Sequence, residues 1–109
     1  MINKAGPEGY HLVLEGVWLK NLSYGDKTHL IEVKIKKGAL IPEHKHPHEQ
    51  TGYLISGKVK LFSGDDGVVA LPGDSWTFAG EKMHGAEALE DAVVIEIFSP
   101  AREDYLKLK

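Results

Sequence analysis

An all-β fold in one domain spanning 1–109 is predicted by three features of the chain. Apolar residues alternate with polar ones, as on a pleated strand. Short apolar runs are separated by Gly, Asp and Pro about every ten residues. No stretch carries the periodicity of an amphipathic helix. With 109 residues there is enough chain for a single hydrophobic core and too little for a second domain.

The opening stretch 1–10 reads as an extended arm. It has no apolar h-region or cleavage site, and no apolar run approaches the ~20 residues of a membrane span, so the expectation is a cytoplasmic protein without a membrane partner. Residues 12–20, "LVLEGVWLK", read as a strand interrupted by Gly16. In "LIEVKIK", Ile31, Val33 and Ile35 alternate with Glu32, Lys34 and Lys36, the pattern of a half-buried strand. The lysines of "KIKK", 34 to 37, then belong to its solvated face.

Ser56-Gly57 and Asp65-Asp66-Gly67 read as tight turns between antiparallel neighbours. Trp76 and Phe78 share a strand face with Asp74, and one face of that strand should pack inside. "AVVIEIF", 92 to 98, is a strand that Pro100 ends. The tail 100–109 contains "REDYLKLK", which allows one helical turn or an edge strand. Trp18, Tyr24 and Tyr53 are candidates for the core or for a subunit interface.

Composition narrows the functions. A formal charge of -3 with no concentrated basic face gives no case for nucleic acid. The absence of cysteine excludes disulfides and thiolate chemistry.

"HKHPHEQ", 44 to 50, holds three of the chain's six histidines. Alternate residues of an extended segment project to one face, so His44 and His46 can meet one metal ion. Pro47 cannot donate to a ladder, so the chain should turn there, with His48 on the turn and Gln50 opening a returning strand. A further ligand has to come from afar, and His84, after "GDSWTFAGEKM", is the best placed. From spacing alone, a polar solvated turn is an equal reading. His11 and His29 lack companions and read as non-ligands.

On the last strand, Val94, Glu96 and Phe98 share one face, and Val93, Ile95 and Ile97 the other. Either Glu96 lines a pocket, or the three branched residues form the core face and Glu96 lies in water. Taken alone, the residues favour the second reading, and Arg102 reads as a surface cation.

The segment "GALIPEHKHPHEQTGYLISG" is similar to the first cupin motif, at Gly38, His44, His46, Gln50 and Gly57. "GDSWTFAGEKMH", with Gly73 and His84, resembles the second. This resemblance covers nearly the whole chain and implies a small jelly-roll β-barrel, a homodimer, and one divalent metal ion. The ion (zinc, nickel, manganese, iron or copper) would be held by His44, His46, Gln50 and His84. Gln50 stands where the family usually has glutamate, and Glu49 sits one residue early. Strand neighbours face opposite sides, so only one of the two can point inward, and the spacing favours Gln50. Ala79 replaces a usual proline, Glu81 a usual glycine and Ala88 a common asparagine. A carboxamide in place of a carboxylate leaves the ion's charge uncompensated, which favours an anionic ligand and Lewis-acid chemistry over redox chemistry.

"HPHEQ" together with "IFSPARED" resembles in particular the small cupins that convert 4,5-unsaturated uronates from pectin and alginate to linear keto forms. That resemblance implies Glu96, at a position usually aspartate, as general acid or base. It implies Phe98 packing on the sugar ring and Arg102 clamping a carboxylate. The partner would be a small anionic molecule, a sugar acid, in an isomerase- or lyase-like reaction. Two other classes stay open: a non-catalytic cupin holding a metal or small ligand, and a metal-dependent dioxygenase.

Overall fold

The computed structural model describes residues 1–108. Its strands are β1 (Tyr10–Leu14), β2 (Val17–Tyr24), β3 (His29–Ile35), β4 (Leu40–His44), β5 (Glu49–Ser63), β6 (Asp66–Ala70), β7 (Ser75–Phe78) and β8 (His84–Ser99), followed by one helical turn, α1 (Glu103–Leu106). Every pairing is antiparallel. The strand order is β1-β2-β3-β8-β5-β6, with β4 paired to β8 and β7 paired to β5.

The two long strands determine the shape. One end of β8 pairs with β4 and the other with β3, while β5 lies along its opposite edge. Between Leu54 and Val59 the β5–β8 register shifts repeatedly. Before the shifts Gln50, Gly52 and Leu54 are the buried residues of β5; after them it is Val59. Inward-facing positions therefore change from even to odd, which only an irregular insertion in the ladder permits. The bulge bends the sheet so that its two halves face one another across the core.

Ser56-Gly57 is thus the bulge inside a continuous strand, not the expected turn. Gly57 has φ +91°, and a Cβ there would lie 2.1 Å from the Asp91 carbonyl oxygen and 2.6 Å from Ala92 Cα. Gly57→Ala is expected to cost about 3 kcal/mol, from left-handed strain plus a backbone clash. Gly38→Ala, at φ +86° with nothing within 4 Å, should cost only the strain, roughly 1 kcal/mol. Urea midpoints of the two variants measure the difference, and equal midpoints would refute the clash.

Two further expectations need correcting. Gly16 does not interrupt one strand; with φ +75° it closes a tight turn between β1 and β2, whose Leu14 and Val17 are register partners. The later turn falls on Gly64-Asp65, because Ser63 and Asp66 already pair and Gly64 supplies φ +61°.

Rows of inward residues run across the strands. Val33, Val94 and Leu54 are register partners and all buried. The next row is Ile31, Glu96 and Gly52, and the one beyond it His29, Phe98, Gln50 and Phe78. The Val94–Glu96–Phe98 face is therefore the inner one, overturning the preference for Val93, Ile95 and Ile97. Ile97 is 42% exposed on the outside. Trp18 is half-buried, and Tyr24 and Tyr53 are exposed, so none of the three belongs to the core. The tail's helical turn is α1, and its last residue, 109, lies outside the described residues.

Candidate functional site

β4 ends at His44, directly opposite His84, the first residue of β8. His46 follows in the bend that contains Pro47, and Gln50 is the second residue of β5. Two distant parts of the chain are brought together in this way. Ring centroids are 5.6 Å apart for His44 and His46, 4.6 Å for His44 and His84, and 5.0 Å for His46 and His84. One ring nitrogen from each lies within 4.8 Å of the others, an arrangement able to hold one ion. Gln50 is buried and Glu49 exposed, as strand alternation requires. His48 stays outside the cluster.

Hydrogen bonding fixes how the rings present themselves. Nδ1 of His44 lies 2.9 Å from the Pro42 carbonyl, Nδ1 of His46 3.0 Å from that of His48, and Nδ1 of His84 2.7 Å from that of Lys82. A carbonyl only accepts, so each Nδ1 carries the proton and each neutral ring keeps a bare lone pair on Nε2. Burial pushes the His46 and His84 rings below the usual histidine range, which favours that neutral state.

Gln50 Oε1 sits 3.0 Å from His46 Nε2 and 3.1 Å from His84 Nε2. The Gln50 amide nitrogen donates to Glu96, so the side facing the histidines is the oxygen. Lone pairs of the Gln50 oxygen and of the His46 and His84 rings thus face one another, an arrangement that a shared cation would satisfy. The donor set fits a borderline-soft divalent ion.

Glu96 lies beside this cluster on the lumenal side. Burial pushes its carboxyl up to about 7, against the downward pull of the Gln50 amide and the Arg102 charge. Opposite Glu96 on β5 is Gly52, which leaves the space above it to Trp76. Phe98 is buried, with its ring edge-on to His46 at 5.6 Å between centroids.

Arg102 is not the surface cation that its sequence context suggested. It is 8% exposed, with its guanidinium 3.8 Å from the Tyr105 ring centroid and 5.0 Å from that of Phe98. Its Nε and Nη2 donate to Asp104 at 3.0 and 2.7 Å, while its buried Nη1 has no partner among the described residues. His44, Gln50, Phe78, His84, Glu96 and Phe98 line one cavity, which continues into the apolar interior.

Sequence reasoning missed two participants. Phe78 stacks flat on His84, with centroids 4.4 Å apart and planes 10° from parallel. Its register position opposite Gln50 puts it there, and that pairing was not deducible from a lone strand. His29 is 0% exposed and engages the segment carrying Arg102. At Glu81, where a glycine is usual in the resembling motif, φ is +67°, and its N–H donates to the His46 carbonyl at 2.7 Å.

Comparison with known proteins is consistent with this geometry. The Cupin_2 family model, described as a cupin domain, matches residues 31–98. The pectin degradation protein KdgF of Dickeya dadantii (strain 3937) is 31% identical over 94 residues, covering 84% of this chain and 86% of that one. The structure of KdgF from Halomonas sp. matches with a TM-score of 0.84 and 32% identity, over 89% of this chain and 92% of that one. An RmlC-like cupin from Shewanella frigidimarina NCIMB 400 matches with a TM-score of 0.90 and 25% identity, over 95% and 94% of the two chains.

Proposed function

The chain belongs to the Cupin_2 family, and from that membership we propose that it is a metal-dependent cupin acting on a small sugar acid, such as a 4,5-unsaturated uronate, by ring opening or isomerisation. The observation that carries this reading is the contact between Gln50 and Glu96, which sets a titratable carboxyl against the histidine cluster inside one cavity. Its similarity to two KdgF proteins, one of them a pectin degradation protein by name, supports the substrate class.

His44, His46, Gln50 and His84 would hold one divalent ion, which when bound supplies a Lewis acid beside the substrate's oxygens. The other roles belong to side chains. Glu96, with its carboxyl near 7, is present both as acid and as base at neutral pH and can move a proton in either direction. Arg102 offers its charge, and an Nη1 with no partner among the described residues, to the substrate's carboxylate. Phe98 supplies an apolar surface for the ring.

The direct test is to incubate metal-loaded protein with 4,5-unsaturated galacturonate and follow loss of the absorbance of the C4–C5 double bond. Failure of turnover with each of zinc, nickel, manganese, iron and copper would end the catalytic reading. The second reading, a cupin that holds a small acid without converting it, is favoured by the two hydrogen bonds that already tie Arg102 to Asp104. A thermal shift with galacturonate, without turnover of the unsaturated sugar, would select it.

The proposed assembly is a homodimer formed through the outer face of β5 and β8. Tyr53 and Ile55 are 46% and 48% exposed there, beside Ile97 at 42%. Tyr53 pairs with the half-buried Ile95 and Ile97 with Thr51, so Tyr53 and Ile97 are diagonal neighbours across the two strands. The double variant Ile55→Glu, Ile97→Lys should sediment as a monomer and keep its metal. A monomeric wild type would refute the dimer.

A further inference from the structure

The turn that carries Arg102 is tied down at both ends by two residues outside the histidine cluster. The Arg102 backbone N–H donates to His29 Nδ1 at 3.1 Å. His29 Nε2–H donates to Asn21 Oδ1 at 2.7 Å, and Asn21 Nδ2 donates to the Tyr105 carbonyl at 2.9 Å. Only one tautomer of His29 satisfies both ring nitrogens, with the proton on Nε2. Tyr105 N–H returns to the Arg102 carbonyl at 3.1 Å, which closes the ring of bonds.

We propose that Asn21 and His29 are positioning residues for Arg102, acting through this relay to fix the turn that holds its guanidinium against Phe98 and Tyr105 at the cavity wall. The inference rests on the reading of Arg102 as the group that holds the substrate's carboxylate.

Three observations support it. His29 occupies a core row with Phe98, where an aliphatic or aromatic residue would fill the space without the cost of burying two polar nitrogens. Its presence is therefore tied to what those nitrogens bind, and one binds the backbone of Arg102 itself. Asn21 lies at a register shift between β2 and β3, where an unpaired side chain can turn toward α1 instead of along the ladder. The backbone of the segment needs such a tie: α1 is only four residues long and has no side-chain cap at Arg102, and the side-chain contacts of Arg102 and Tyr105 with Phe98 and Asp104 leave the Arg102 N–H to His29.

A graded set of His29 variants in the full, metal-loaded chain separates positioning from mere packing. The oxygen of an asparagine side chain falls near the place of imidazole Nδ1, so His29→Asn keeps the acceptor for Arg102 N–H. His29→Phe keeps the packing and loses both hydrogen bonds. Amide hydrogen exchange at Arg102 is expected to accelerate about tenfold or more in His29→Phe and less than threefold in His29→Asn. Galacturonate binding, by calorimetry, should weaken in the same order, with metal content unchanged.

A side chain needed only for packing gives the opposite order, because phenylalanine fills the site and asparagine leaves a hole; that order overturns the proposal. Should His29→Phe fail to fold, Asn21→Ala takes its place, with faster exchange at Arg102 expected and unchanged exchange overturning the relay. If the wild type binds no galacturonate, the reading of Arg102 as an anion-holding group fails, and the exchange order alone decides the relay.

Discussion

Glu96→Gln is expected to lower turnover of the unsaturated uronate by about 10² to 10⁴-fold while leaving the metal content at one ion per chain. The substitution keeps the shape of the side chain and leaves an oxygen that still accepts from the Gln50 amide, so Gln50 continues to turn its own oxygen toward His46 and His84. What it removes is the ability to gain or lose a proton. Burial places the native carboxyl near neutrality, where proton transfer in both directions is most effective. Glu96→Ala should abolish turnover as well, but it also strips the Gln50 amide of its acceptor, so the glutamine variant is the cleaner experiment. Full activity with bound metal in Glu96→Gln would remove Glu96 from the chemistry. Loss of the metal in the same variant would instead show that its part is to orient Gln50.

The geometry also shows which parts of this protein can be read along a chain and which cannot. Ile31, Val33 and Ile35 could be assigned to the core from alternation because β3 is regular and polar on one face. On β8 the same rule failed, since both faces are rich in branched residues and the glutamate marks the inside. Glu96 is tolerated there only because the Gln50 amide and the Arg102 charge act on it, and both come from other elements. Gly57 in the sequence reads equally as a turn, because glycine at positive φ serves turns and bulges alike. Only the pairing of β5 with β8 tells them apart.

The histidine grouping was legible because His44 and His46 lie close in sequence and the interval to His84 matched a known motif. The relay from Asn21 through His29 to Arg102 was not. Its members lie 8 and 73 residues apart, and none of them carries a local signal.

His84→Ala is expected to abolish stoichiometric metal binding, leaving less than about a tenth of an ion per chain after desalting, a loss of tenfold or more in affinity. His84 is the member of the cluster that comes from the far end of the fold, so without it the remaining rings belong to a single short segment, residues 44 to 46. It is also the most constrained of the three. Phe78 stacks on one face, the Lys82 carbonyl fixes Nδ1, and Nε2 faces the Gln50 oxygen. Such a ring loses little freedom when an ion binds, and an alanine at the same place leaves Phe78 over a hole.

The second consequence is thermodynamic. An ion that binds only the folded chain adds about 4 kcal/mol at a thousandfold excess over its dissociation constant. Saturating zinc or nickel should therefore raise the melting temperature of the wild type and leave that of His84→Ala where it was. His11→Ala, in a half-buried residue of β1 outside the cluster, should respond as the wild type does. Equal metal content in His84→Ala and His11→Ala would show that the cluster is not where the ion sits. Glu96 would then face a cavity whose chemistry comes from its own carboxyl and the Arg102 charge that acts on it.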